Sequence, residues 1–247
     1  MTQTQKRRAR SNRTAKAASP RAANPHLDIE TKILPSQARS KNTFDAILRV
    51  VGGILNDDGL DGLSVNAVCR RAQLTPPAVY RYFPNKYALL KVLAERLMEA
   101  QDDAVLAVAK RRRPARSEEE LTEEMRESLR DVAAVTAAFP GNVIILRALR
   151  VTPVLQAVRR ASTARVAAKR FERLRSIFPA ADAAVLRRGV WIGVEVANAM
   201  IELIAEREWE AVGESRQATI EVAAELLARH YWELGAGSPS NDRASLV

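Results

Sequence analysis

Cys69 is the sequence's one thiol, which excludes an internal disulfide and any multi-cysteine metal site and fits a reducing compartment. The two histidines, His26 and His230, lie far apart in the chain, so a histidine-built zinc site is not expected. No run of about 18 uninterrupted apolar residues occurs, so no membrane span is expected, and the basic amino terminus lacks the apolar segment of a secretory signal. The sequence also has no paired nucleophile and base, no metal-ligand cluster and no phosphate-cradling loop. An enzyme is therefore not expected, nor any cofactor, and the many glutamates read as solvated faces of amphipathic helices. No stretch makes a convincing strand.

What is present is a helical pattern with enough apolar content, 47%, to build a core. The net charge of +10 is concentrated at one end: residues 1–41 hold ten Lys/Arg against Asp28 and Glu30, which places +8 there. A segment of Ala, Ser, Thr, Pro and Arg has little to bury, so residues 1–35 are expected to be a disordered basic arm. Two readings of it stay open. It is either a solubilising tail or a phosphate-binding arm that gains affinity by counterion release.

The stretch Ser64–Leu90 reads as two short helices joined by a tight turn. Ser64 can cap the first, whose Val65, Val68 and Cys69 fall at helical spacing. After Gln73 and Leu74, Thr75 can cap a second helix opened by Pro76 and Pro77, where a missing amide costs nothing. Burial of Val79 and Phe83 would leave Thr75, Pro76, Ala78, Tyr80, Arg81 and Tyr82 around the outer surface. Such a polar, aromatic and basic helix suits the major groove of DNA. The order hydroxyl cap, small residue, Tyr80, Arg81, Tyr82, Phe83, then Asn85, Lys86 and a leucine pair resembles the TetR (tetracycline repressor) family of bacterial regulators over Arg39–Leu97. By that resemblance Asn66, Pro76, Pro77, Ala78, Tyr80 and Arg81 lie nearest bases, and Ser64, Thr75, Tyr82 and Lys86 suit phosphates. A core role for Tyr80 or Tyr82 is the plainer alternative.

Nine helices are predicted, giving an all-α fold with a DNA-binding head over 36–85, a ligand-binding and dimerisation domain over 86–234 and a disordered tail over 235–247. Gly52 and Gly53 interrupt the first helix, marking either close packing or a soft spot. Ser117 with Glu120 forms a capping-box signature, and Asp182 and Ser215 can cap the last two long helices. On the helix after Asp182, Gly189, Gly193 and Ala197 form a strip of small residues. Because the resemblance puts the dimer contact on the last two helices, it is read as a dimer interface together with Ile220, Ala223, Ala224, Leu227 and Tyr231 of the final helix, with packing inside one subunit as the alternative. The opposite face carries Trp191, Glu195 and Asn198, read either as ordinary surface or as the wall of a pocket completed by Met125, Leu129, Phe139, Leu149 and Phe171. The expected effector is small, largely apolar and, from Glu195 and Asn198, cationic or hydrogen-bond donating. Inward-turned Arg147 or Arg150 would favour an anion instead. The expected function is a cytoplasmic, nucleoid-associated regulator, most simply a repressor that binds a palindromic DNA operator as a homodimer. A non-specific architectural DNA-binding protein is the alternative.

Overall fold

Side-chain caps start five of the helices in the computed structural model, which describes residues 28–34 and 37–237. Ser64 accepts from the Ala67 amide, Asn85 from Tyr87 and Ala88, Ser117 from Glu120, Asp182 from Ala184 and Val185, and Ser215 from Ala218. Each satisfies first-turn amides that have no partner inside the helix. At Ser117 the capping box closes differently from its usual form, because the Glu120 carboxylate accepts from the Arg116 amide at 2.9 Å. Thr75 sits at the cap position with extended backbone but makes no side-chain cap bond, which corrects its expected role; Pro76 and Pro77 start that helix without it.

The resulting order is α1 (Ala38–Gly62), α2 (Val65–Ala72), α3 (Pro76–Tyr80), α4 (Lys86–Arg111), α5 (Glu118–Ala138), α6 (Asn142–Val151), α7 (Pro153–Ile177), α8 (Ala183–Glu206), a short 3-10 turn (Glu208–Val212) and α9 (Arg216–Ala236). The nine α-helices match the expected count among the described residues, and the 3-10 turn is additional. α1 is broken at Gly59, whose φ of 66° few other residues adopt.

Two apolar cores are stacked along α4. The first joins α1, α2 and α3 to the first half of α4 through Phe44, Ile47, Leu48, Val79, Phe83 and Leu89, and draws in Ile145 and Leu149 of α6. The second joins α5, α8 and α9 through Leu121, Met125, Val190, Leu227 and Tyr231. α6 thus packs with the head, although it lies far beyond residue 85 in sequence. Gly52 explains how: a Cβ there would sit 2.7 Å from the Cβ of Pro140, so only glycine lets α1 close onto the turn between α5 and α6. In the same turn the Gly141 amide donates to the Asn56 side chain at 2.8 Å. Close packing is therefore the role of Gly52, whereas Gly53 faces open space.

Part of the expected basic arm is ordered. The Lys32 amide donates to the Tyr82 carbonyl at 2.9 Å, the Asn85 side chain donates to the Asp28 carbonyl, and Lys91 pairs with Glu30. Residues 28–34 thus form a strap across the head, within the stretch expected to be a free arm. The expectations for 1–27 and 238–247 fall outside the described residues.

Candidate functional site

The head presents α3 on its outside. Gln73 takes the left-handed conformation (φ 55°) that turns the chain sharply between α2 and α3, and Val79 is fully buried, which fixes the rotation of the short helix. Ser64, Asn66, Thr75, Pro76, Pro77, Tyr80 and Arg81 are exposed, and Ala78 and Lys86 are half-buried. Tyr82 departs from the expected surface: it is 3% exposed and packs edge-on against Phe44 with ring centroids 5.6 Å apart. Its core role follows from its position after the end of α3, where a helical wheel no longer describes the chain. Arg81 lies over the Tyr82 ring at 5.7 Å, which holds the guanidinium at the edge of the α3 surface. Arg70 on α2 was not anticipated. It is exposed with no ion pair, whereas the adjacent Arg71 pairs with Asp57; the Arg-Arg doublet in the sequence does not reveal which of the two is free.

The second candidate site is a cavity of about 50 Å³ enclosed by α4, α5, α7, α8 and α9, room for a few waters before any side chain moves. Three of the residues expected there line it: Met125, Leu129 and Asn198. The others do not. Phe139 and Leu149 pack with the head-side core, Phe171 lies beneath the Arg187 guanidinium at 4.7 Å, and Trp191 is 56% exposed. Glu195 is held outside the cavity, accepting from Arg159 at 2.7 Å and Thr163 at 3.0 Å. Arg147 and Arg150 pair with Glu206 and Glu202 and do not line the cavity.

The polar walls come from residues that the sequence reading passed over. Gln101 donates to Thr136 at 2.7 Å. Asp102 accepts from Ser162 at 2.6 Å and from two Arg165 nitrogens at 2.9 and 2.7 Å. Burial pushes the Asp102 carboxyl above its ordinary range, against the pull of the Ser162 and Arg165 hydrogen bonds. Arg170 donates to Glu124 at 2.9 Å, and Ser128 and Tyr231 complete the wall. Ser162, Val166 and Arg170 recur every four residues on α7, a helical stripe that was in the sequence but carried the polarity of a surface.

The family model described as bacterial regulatory proteins, tetR family, matches residues 53–93, from the second half of α1 through α2 and α3 into α4. Over that stretch the chain is similar to the tetR family of bacterial regulatory proteins. The tetracycline repressor protein class C of Escherichia coli is 39% identical over 54 residues, which are 22% of this chain and 25% of that protein. The chain thus aligns with about a quarter of the length of the curated relatives it matches. The fold extends further than the sequence likeness. A TetR-like transcriptional regulator from Rhodococcus sp. RHA1 superposes with a TM-score of 0.54 at 20% identity, covering 83% of this chain and 100% of that one. A tetR family transcription regulator from Shewanella sp. PV-4 does so with 0.51 at 16%, covering 74% and 97%. Among the described residues no three His, Cys, Asp or Glu are grouped to hold a metal, and no single helix is long and apolar enough to cross a membrane.

The small-residue strip of α8 is internal. A Cβ on Gly189 would meet Leu234, and one on Gly193 would lie 2.4 Å from the Tyr231 hydroxyl, so the strip lets α9 run antiparallel against α8 within one subunit. Ile220, Ala223, Ala224, Leu227 and Tyr231 are buried there too, and Ala197 lines the cavity. Within the subunit these residues are thus mostly spent on packing α8 against α9, although Gly193 and Leu227 also line the groove on the outer side of the pair. The exposed side of the α8/α9 pair instead carries Val185, Trp191, Ile192, Val222 and Leu226.

Proposed function

We propose that this protein is a sequence-specific DNA-binding transcriptional regulator, most simply a repressor, acting as a homodimer on a palindromic operator. The observation that carries this reading is the exposed polar, aromatic and basic surface of α3, rigidly set on the head by Val79, inside the stretch that the family model matches. Each α3 would enter the major groove of one half-site. Asn66, Pro76, Pro77, Ala78, Tyr80 and Arg81 would face bases, while Ser64, Thr75, Arg70 and Lys86 would hold phosphates.

The second copy would dock on the outer face of α8 and α9. Ile192 and Val196 on one helix share a groove with Val222 and Leu226 on the other, and Ile192, Val222 and Leu226 are exposed. Two such faces related by a two-fold axis would close into a four-helix contact. A palindrome needs two reading heads, which makes the occupant another copy of this chain. The cavity would receive a small, largely apolar effector whose binding shifts the population of dimers with correctly spaced heads.

The decisive experiment is footprinting upstream of the protein's own and neighbouring genes, followed by affinity measurements on the protected palindrome and on random duplex at one salt concentration. A regulator should prefer the palindrome by about 10³-fold or more. Equal affinity would favour the architectural reading.

A further inference from the structure

The charges around the cavity do not balance. Asp102 is matched by Arg165, but Glu124, buried beneath the wall, is shared by two guanidiniums, Arg170 and Arg173, each at 2.9 Å. One positive charge is left over in a nearly dry place, since Arg170 is 8% exposed and Glu124 1%. An uncompensated buried charge is costly unless an opposite charge or several hydrogen bonds accompany it. Arg170 uses one nitrogen, Nη1, on Glu124, and among the described residues the rest of its donor fork makes no hydrogen bond.

Hydroxyls stand at the same cavity without partners. Ser128 and Tyr231 are buried, line it and make no hydrogen bond. The Tyr231 ring lies 5.9 Å from the Arg170 guanidinium carbon. Burial pushes the Tyr231 phenol up to about 12, so it stays protonated and able to donate at neutral pH. Two hydroxyl residues and a guanidinium lining one cavity suit an anionic acceptor. The remaining walls, among them Met125, Leu129 and Ile201, are apolar.

Resting on the reading of this cavity as the effector site, we propose that its ligand is a small acid with an apolar body, whose carboxylate pairs with Arg170 and accepts from Ser128 and Tyr231. This reverses the preference for a cation drawn from Glu195, which is already paired outside the cavity.

The test compares hexanoate, 1-hexanol and hexylamine by calorimetry on the full-length protein, with butyrate and octanoate to vary the apolar body. Hexanoate should bind about tenfold or more tightly than the alcohol, and the amine most weakly. Arg170→Gln should erase the difference between acid and alcohol, Arg173 remaining to neutralise Glu124. Tyr231→Phe and Ser128→Ala, which preserve packing, should each weaken hexanoate severalfold, and they carry the test if Arg170→Gln does not fold. Equal or tighter binding of the alcohol or amine, no binding by any probe, or an undiminished acid preference in folded Arg170→Gln would overturn the assignment. Palindrome binding is measured on the same samples without probe. Its retention when the acid preference fails would reject the acid and leave the regulator standing, whereas its loss with the acid preference intact would do the reverse.

Discussion

Gly52 and Gly53 are neighbours in α1, yet a methyl group at the first would lie 2.7 Å from Pro140 and one at the second would meet nothing within 4 Å. Gly53→Ala should therefore raise stability by about 0.5–1 kcal/mol through helix propensity alone. Gly52→Ala should lower it by about 1–3 kcal/mol, because the α5–α6 turn must move aside. Denaturant unfolding of both variants checks the pair, and a stabilised Gly52→Ala would show that the contact is loose. The sequence marked both positions as unusual but could not separate them, because Pro140 is remote in the chain. The tyrosines raise the same difficulty at shorter range: Tyr80 is exposed on α3 and Tyr82 is buried against Phe44. On the α3 surface, base and phosphate contacts should fail differently. Lys86→Ala is expected to weaken binding to all DNA alike and to lower the salt slope by about one unit, whereas Arg81→Ala should relax the preference for the operator over altered half-sites. A changed preference in Lys86→Ala with an unchanged slope would exchange the two roles.

At the level of elements, the helices were largely legible because their ends are written in short-range chemistry: Ser64, Ser117, Asp182 and Ser215 all cap where expected. What each face touches was less legible. Periodicity on α8 separated a small-residue side from a tryptophan side, but it cannot say which side meets α9 and which meets another subunit, because both partners are apolar helices. Tyr231 and Leu234 fill the space over Gly193 and Gly189, so the small-residue side is the one that meets α9. The cavity was hard to read for a related reason: its polar lining on α4 and α7 is buried through pairing among three separate helices, α4, α5 and α7, and a one-dimensional pattern scores such residues as surface. The interface now has a sharp test. Gly193→Leu should destabilise the subunit itself and lower its melting temperature, since the added side chain collides with Tyr231. Leu226→Glu should leave the subunit folded and shift sedimentation from dimer to monomer, with operator affinity falling alongside. A normally dimeric Leu226→Glu protein would move the interface off this face.

The whole molecule is two cores threaded by one helix, with α6 and the Pro140–Gly141 turn making a second bridge from the cavity side back to α1. An effector that spreads the cavity walls can therefore act on the head through α4 and through the end of α5, whose Met125, Ser128, Leu129 and Val132 line the cavity. The amino-terminal segment adds a third connection, because the strap 28–34 is tied to the α3–α4 junction through Tyr82, Asn85 and Lys91. Asn85 and Lys91 belong to the start of α4, beside Lys86, so Asp28 and Glu30 lie at the end of the head that carries the reading helix. The chain preceding Asp28 holds seven Lys/Arg and no Asp or Glu over residues 1–27. Its expected contribution is affinity through counterion release without much specificity, and the strap sets the point from which it starts. Two deletions separate these effects. Removing residues 1–27 should reduce operator affinity and the salt slope, leave the preferred sequence unchanged and leave thermal stability intact. Removing 1–35 should cause the same loss of affinity and also lower the melting temperature, because the Lys32 to Tyr82 hydrogen bond and the Lys91–Glu30 pair go with it. If deleting 1–27 changes neither affinity nor slope, the arm only solubilises the protein; if deleting 1–35 leaves stability untouched, the strap does not brace the head.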